Sequence, residues 1–331
     1  MFLISGFGEK LVYSIGASES YAYEVGDGDF TVAVVAGNHG DEKGAREVFD
    51  GLFDELPENY DDLSLSYIPE SNVFAYEETS RKTPRSVQPN AADQHDLNRS
   101  YETARRELES ERNLQGLNTT QRAAFRVLEH LDDLQPDLVI DMHSGTSGTR
   151  RMPQVRYKHR EDYPVAESSM RSVTENAGVD MVVSEPGEDA EMLGAVAPKM
   201  GFPAVTVEVC GGVEHSRDGF TGVDAEDYEN IIRNIFAYAL DREENDFSPR
   251  EFTGLEKNFS TADRHGSIEY HFPLGEEVFE GETVATITSK NGETHEMEAL
   301  EDGALETILT EEKRANVKPG NRIFNIAKRD Q

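Results

Sequence analysis

The sequence predicts an α/β protein: a largely parallel sheet with helices on both faces, followed by a small β domain. Three observations lead there. Short apolar runs alternate with stretches of helical apolar spacing through most of the chain. After about residue 248 the apolar runs shorten and turn residues become frequent. The length of 331 residues suits two domains at roughly 100–200 residues each. The boundary is placed to give a main domain of 1–247 and a β domain of 248–331.

The first strand is TVAVVA (31–36), an apolar run bounded by Asp29 and Gly37. A GNHG loop follows. Ala45, Val48, Phe49, Leu52, Phe53 and Leu56 then repeat at helical spacing, with Pro57 marking the stop. Residues 70–118 are poor in periodicity and too long for an ordinary connection, which points to a functional or disordered stretch. Thr119 or Thr120 can cap a helix carrying Ala124, Val127, Leu128, Leu131 and Leu134, ended by Pro136. The strand DLVIDM (137–142) comes next. A helix around 163–176, a strand at 179–184, a helix at about 188–200 and the strand AVTVEV (204–209) continue the alternation. Asp224 caps a last helix bearing Tyr228, Ile231, Ile232, Ile235, Phe236 and Ala239. In the tail, Val284, Ile287, Asn291-Gly292 and Met297 read as a hairpin with a type I′ turn. GALETILTE (303–311) and NRIFNIA (321–327) supply further strands.

Charge narrows the function. The chain has 65 acidic and 32 basic side chains, a net −33. Nucleic acid and anionic membrane surfaces are polyanions that this field repels, so neither is expected as a partner. The acids are spread along the chain, Arg outnumbers Lys, and Trp is absent. That pattern suits a salt-rich cytoplasm, where screening relieves self-repulsion. The lone Cys210 excludes an intrachain disulfide. No run approaches the ~18 apolar residues of a membrane span, and the N-terminus has no basic-then-apolar leader. A cytoplasmic location is expected, and a homo-oligomer stays open.

Four short segments can carry chemistry. His39 and Glu42 lie three apart across a strand-to-helix turn, and imidazole and carboxylate are standard zinc ligands. The alternative is a polar loop in which Glu42 caps the helix. His143, in Asp141-Met142-His143-Ser144, sits where an open sheet presents ligands, or is a strand-end histidine bonded to a carbonyl. Together the three leave one position open, the make-up of a catalytic zinc site. Glu208 ends an apolar strand; it is either a general base beside such a metal or a strand-end acid turned to solvent. Cys210, on the same strand face, is expected to be a small packed side chain. Asp96-Leu97-Asn98-Arg99, with Arg81 and Arg85 upstream, gathers positive charge that could bind a carboxylate or form surface ion pairs. No phosphate-binding, dinucleotide-binding or nucleophile-elbow glycine motif occurs.

In this order, GNHGDE (37–42), DLNR (96–99), DMHSG (141–145) and PAVTVEVCGG (203–212) resemble the succinylglutamate desuccinylase/aspartoacylase family of the zinc carboxypeptidase clan. The resemblance covers roughly residues 30–245. It implies carboxypeptidase-like α/β/α layers with a mixed twisted sheet, and one Zn2+ held by His39, Glu42 and His143. It implies Glu208 as general base, Asn98 and Arg99 on the substrate carboxylate, and an upstream arginine on the oxyanion. Arg81 matches that arginine best, and Arg85 competes. Lys199 stands where aspartoacylase-like members carry a substrate-binding Arg, and Tyr270 is a candidate from the β domain. The chain departs from the family in the longer segment before DLNR and in SYETARRE after it. The implied activity is hydrolysis of the amide of a small N-acylated amino acid. The alternatives are a zinc carboxypeptidase acting on peptides and a non-catalytic metal-binding relative.

Overall fold

The structure is a computed structural model. It describes residues 8–88, 95–110, 114–145, 149–187, 191–209, 225–241, 249–253, 259–309 and 314–328. The strands are β1 (Gly8–Ile15), β2 (Ser18–Val25), β3 (Phe30–Val35), β4 (Leu63–Ile68), β5 (Leu138–Ser144), β6 (Thr149–Arg151), β7 (Gln154–His159), β8 (Met181–Pro186), β9 (Ala204–Val209) and β10 (Arg250–Thr253). The helices are α1 (Lys43–Leu52), α2 (Leu56–Asn59), α3 (Val73–Glu77), α4 (Tyr101–Ser110), α5 (Thr119–Leu134), α6 (Glu167–Glu175), α7 (Leu193–Met200) and α8 (Ala225–Asp241), with a 3-10 turn at Leu97–Arg99.

Nine strands form one sheet in the order β1-β2-β4-β3-β5-β9-β7-β8-β10. It is mixed rather than largely parallel. The centre, β4-β3-β5-β9, runs parallel, but β1 and β2 add an antiparallel hairpin and β7 turns antiparallel to β9. The apolar runs cannot reveal this, because a strand buried on both faces reads the same in either direction.

Alternation along the strands builds two cores. Val32, Val34, Ile140 and Val205 face one side and pack with Phe49 and Leu52 of α1, Met170 of α6 and Ile232 and Phe236 of α8. Ala33, Val35, Val139 and Ala204 face the other, with Phe74 of α3, Tyr101 of α4, Leu128 and Leu131 of α5, and Val196 of α7. Each large side chain buried this way contributes about 1.5–3 kcal/mol.

Several boundaries move. Helix α1 ends at Leu52, and Pro57 opens the first turn of α2 instead of stopping a longer helix. Asn118, not Thr119 or Thr120, caps α5; its Oδ1 accepts from Gln121 N (2.9 Å) while Gln121 Oε1 accepts from Asn118 N (3.1 Å). The stretch 70–118 holds α3, the 3-10 turn and α4, whose amphipathic signal is thinned by charge. Asp224 and Cys210 lie outside the described residues.

After residue 259 come β11 (Ser260–Thr261), β12 (Ser267–Tyr270), β13 (Glu277–Val278), β14 (Thr283–Thr288), β15 (Thr294–Glu298), β16 (Gly303–Leu309) and β17 (Arg322–Lys328). They form two antiparallel sheets around Val284, Ile287, Leu305, Phe324 and Ile326. The β14–β15 hairpin forms, but not through a type I′ turn. Only Gly292 has positive φ (+84°), and its N–H donates to Ser289 O, so the turn is a longer one closed by glycine. β10 joins the large sheet beside β8, whereas β6, between β5 and β7, pairs with β16.

Candidate functional site

The site lies at the carboxyl ends of β3, β5 and β9, on the face covered by α4, α5 and α7. The loop after β3 turns sharply. Gly37 takes φ +71°, and a Cβ on Gly40 would stand 1.9 Å from Ala75 O, so the loop runs against α3 as closely as glycine allows. Asn72 N donates to Gly37 O and Gly40 N to Ser80 O, which pins it from both sides.

This geometry turns His39 and Glu42 toward His143. His39 Nδ1 is 2.8 Å from Glu42 Oε1, and His143 Nδ1 is 2.7 Å from Glu42 Oε2. All three residues are buried, and one ligand atom from each lies within 4.8 Å of the others. The far nitrogens are held too. His39 Nε2 is 3.1 Å from Asp96 Oδ1, and His143 Nε2 is 3.2 Å from Asp141 Oδ1. A carboxylate behind each Nε2 leaves both Nδ1 atoms turned to Glu42, as in metal-ligating imidazoles backed by a carboxylate. The donor set fits a divalent metal such as zinc, with a position to spare.

Electrostatics agree. Burial disfavours charge on both imidazoles, but Glu42 beside His39, and Asp141 and Glu42 beside His143, outweigh it and raise both above the usual range. Burial likewise opposes charge on Glu42, yet the two imidazoles hold it well below the usual carboxylate range. The same balance, with His39 as the main partner, keeps Asp96 low. The pocket is a negative centre suited to a cation.

Other expected residues are brought up in part. Glu208 sits directly opposite His143 in the β5–β9 register, on the same face, and accepts from Arg151 Nη1 at 2.8 Å. Arg81 reaches in, with Nη1 donating to Glu42 Oε1 at 2.8 Å, while Arg85 points to solvent. Asn98 is at the site: its Oδ1 accepts from Leu193 N, and its Nδ2 lies 3.2 Å from His143 Nε2. Arg99 is exposed on the same turn.

Lys199 and Tyr270 are not gathered here. Lys199 is on the last turn of α7, six residues or about 9 Å along the helix from Leu193, and bonds Glu102 at 3.0 Å. The Tyr270 hydroxyl donates to Ile323 O (2.6 Å) and accepts from Leu309 N (3.0 Å), so its proton is committed inside the C-terminal sheets.

Sequence reasoning missed Asp96 and Asp141 as partners of the imidazoles. Asp141 had a signal: it is two residues before His143, hence on the same strand face. Asn38 was missed as well. Its Nδ2 donates to Asp141 Oδ1 (2.7 Å), and its Oδ1 accepts from Tyr101 Oη (2.6 Å) and Ser71 Oγ (3.0 Å). Arg151 was a further omission.

Two buried histidines and one buried carboxylate, close enough to hold a metal ion, stand at the mouth of a mixed α/β sheet. The family model for the succinylglutamate desuccinylase/aspartoacylase catalytic domain matches residues 29–237, and the chain belongs to that family. Solved structures share the fold. A succinylglutamate desuccinylase from Silicibacter superimposes with TM-score 0.74 at 19% identity, covering 99% of this chain and 100% of that one. An ectoine utilization protein from Ruegeria pomeroyi gives 0.73 at 20% identity, covering 95% and 90%. An aspartoacylase family protein from Mesorhizobium loti gives 0.71 at 17% identity, covering 98% and 95%. Among curated proteins, none matches the sequence. No helix of the described residues is long and apolar enough to cross a membrane.

Proposed function

We propose that the protein is a zinc-dependent deacylase that hydrolyses the amide bond of a small N-acylated amino acid or related compound. The observation that carries this is the buried His39–Glu42–His143 group with Glu208 in register beside it. His39, Glu42 and His143 would hold a single zinc. Bound there, the ion would supply Lewis acidity, acidifying water and polarising the scissile carbonyl. Glu208 takes the water's proton and returns it to the departing nitrogen. Arg81 turns from Glu42 to the oxygen that gains charge. Arg99 and the Asn98 amide hold the substrate's carboxylate, which fixes its orientation. The carboxypeptidase-like layering and a two-domain division near residue 248 belong to this reading.

The test is metal content of the purified protein together with amine release from a panel of N-acyl amino acids. Near one zinc per chain with turnover of any member supports the reading. Zinc with release of C-terminal amino acids from peptides instead would make it a carboxypeptidase, and zinc with neither would make it non-catalytic. Glu208→Gln should keep the zinc and lose turnover by about 100-fold or more. The net charge of −33 further leads us to propose a salt-rich cytoplasm as its setting. Activity undiminished on transfer from molar to millimolar salt would count against that.

A further inference from the structure

A second cluster of buried charge joins the C-terminal sheets to the site. β6 follows β5 but pairs with β16, placing Arg151 opposite Thr307. Next to Thr307, Glu306 is 1% exposed. Its Oε1 accepts from Gln154 Nε2 (2.8 Å) and Arg156 Nη2 (3.2 Å); its Oε2 accepts from Thr307 Oγ1 (2.8 Å) and Asn325 Nδ2 (2.7 Å). Arg151 Nε stands 3.9 Å from Oε1 of the same carboxylate, while Arg151 Nη1 donates to Glu208. One guanidinium thus lies between a fixed buried anion and the residue read above as the base.

The physics favours a directed role. A carboxylate this buried is strongly disfavoured unless bonded and paired, and Glu306 is both. Burial pushes its pKa up, but Arg151, Arg156 and the two amides hold it below the usual range. It therefore stays charged. Arg151 is a long side chain, 25% exposed, and could swing outward and carry Glu208 with it. A fixed anion on its inner edge removes that freedom.

We propose that Glu306, from the C-terminal β unit, is a positioning residue for hydrolysis: it anchors Arg151, and anchored Arg151 orients the Glu208 carboxylate toward the metal centre. This rests on Glu208 acting as the base.

The experiment uses the full-length, zinc-loaded protein and its Glu306→Gln, Glu306→Asp, Arg151→Gln and Arg151→Lys variants, plus the Glu306→Gln/Arg151→Gln double. Glu306→Gln should lower kcat about tenfold or more with KM within about twofold and zinc content unchanged. Arg151→Gln should do the same, Arg151→Lys less, and the double variant should fall within about twofold of the worse single. Unchanged kcat in Glu306→Gln, or losses that multiply in the double, would overturn the proposal. If Glu306→Gln does not fold, Glu306→Asp keeps the charge on a shorter arm and should show an intermediate kcat loss; full kcat would overturn it. If the wild type turns over no acyl amino acid, the functional reading fails separately. Crystal structures of zinc-loaded wild type, Glu306→Asp and Arg151→Gln then decide: a displaced Glu208 carboxylate supports the positioning role, and one that stays in place refutes it.

Discussion

Asp96→Asn isolates the charge behind one imidazole. Asp96 Oδ1 lies 3.1 Å from His39 Nε2 and also accepts from Asn98 N at 3.0 Å. Asparagine has the same shape. The Asn98 N–H keeps an amide oxygen, not an NH2, at that place, so the Nε2–H tautomer of His39 survives. What disappears is the negative charge that makes Nδ1 a stronger ligand. Losing such a partner typically costs 10–100-fold in metal affinity, about 1.4–2.8 kcal/mol. Arg81 and Arg99 already offset part of that charge, which places the expected loss at the lower end, about 10- to 30-fold. Competition for zinc with a chromophoric chelator, at fixed pH and salt, measures it, with circular dichroism confirming the fold. An affinity within about twofold of wild type would refute the assignment of Asp96 to His39.

His130 carries a pH effect far from the site. Its Nε2 bonds Ser66 Oγ at 2.9 Å, and burial pushes its pKa down to about 4. Above pH ~6.5 neither state binds the proton; below it the unfolded chain protonates first, so stability falls until the folded pKa is passed. Between pH 7 and 5 the loss is about 2 kcal/mol, and His130→Gln should remove it from urea unfolding curves; an identical pH dependence in the mutant would contradict this. Gly40→Ala places a methyl 1.9 Å from Ala75 O, so the loop must shift and tight metal binding should be lost while circular dichroism stays near wild type. Metal bound as in wild type would show the loop to be pliable. Arg81→Ala should lower kcat by about 100-fold and Arg85→Ala by less than about twofold; equal effects would remove Arg81 from the oxyanion role.

The central α/β order was legible because it rests on burial. TVAVVA, DLVIDM and AVTVEV are strands lying side by side, and the periodicity of α1, α5 and α8 marks helices. Direction and edges were not legible. β1 and β2 carry Glu, Ser and Lys on exposed positions, which weakens their apolar signal. β7 hides its antiparallel course behind an ordinary alternation, QVRYKH. The type I′ expectation failed because Asn-Gly can also close a longer turn, with only glycine in the left-handed region.

At the site, what could be read depended on distance along the chain. His39 and Glu42 are three apart, and that spacing alone suggests convergence. Their other contacts span 57 residues to Asp96 and 101 to His143, and Asn38 reaches Asp141 across 103. No spacing rule covers such separations; the sheet order supplies them, by setting β3 against β5 and β5 against β9. The Glu306 cluster is the extreme case, with Gln154 and Glu306 152 residues apart. Its one local signal is a charged residue in an otherwise uncharged strand, GALETIL, buried along its whole length. A carboxylate there has to be paired. Its approach to Arg151 follows from β6, between β5 and β7, pairing with β16. The β6–β16 pairing that sets Arg151 beside Glu306 therefore also lies next to its bond to Glu208.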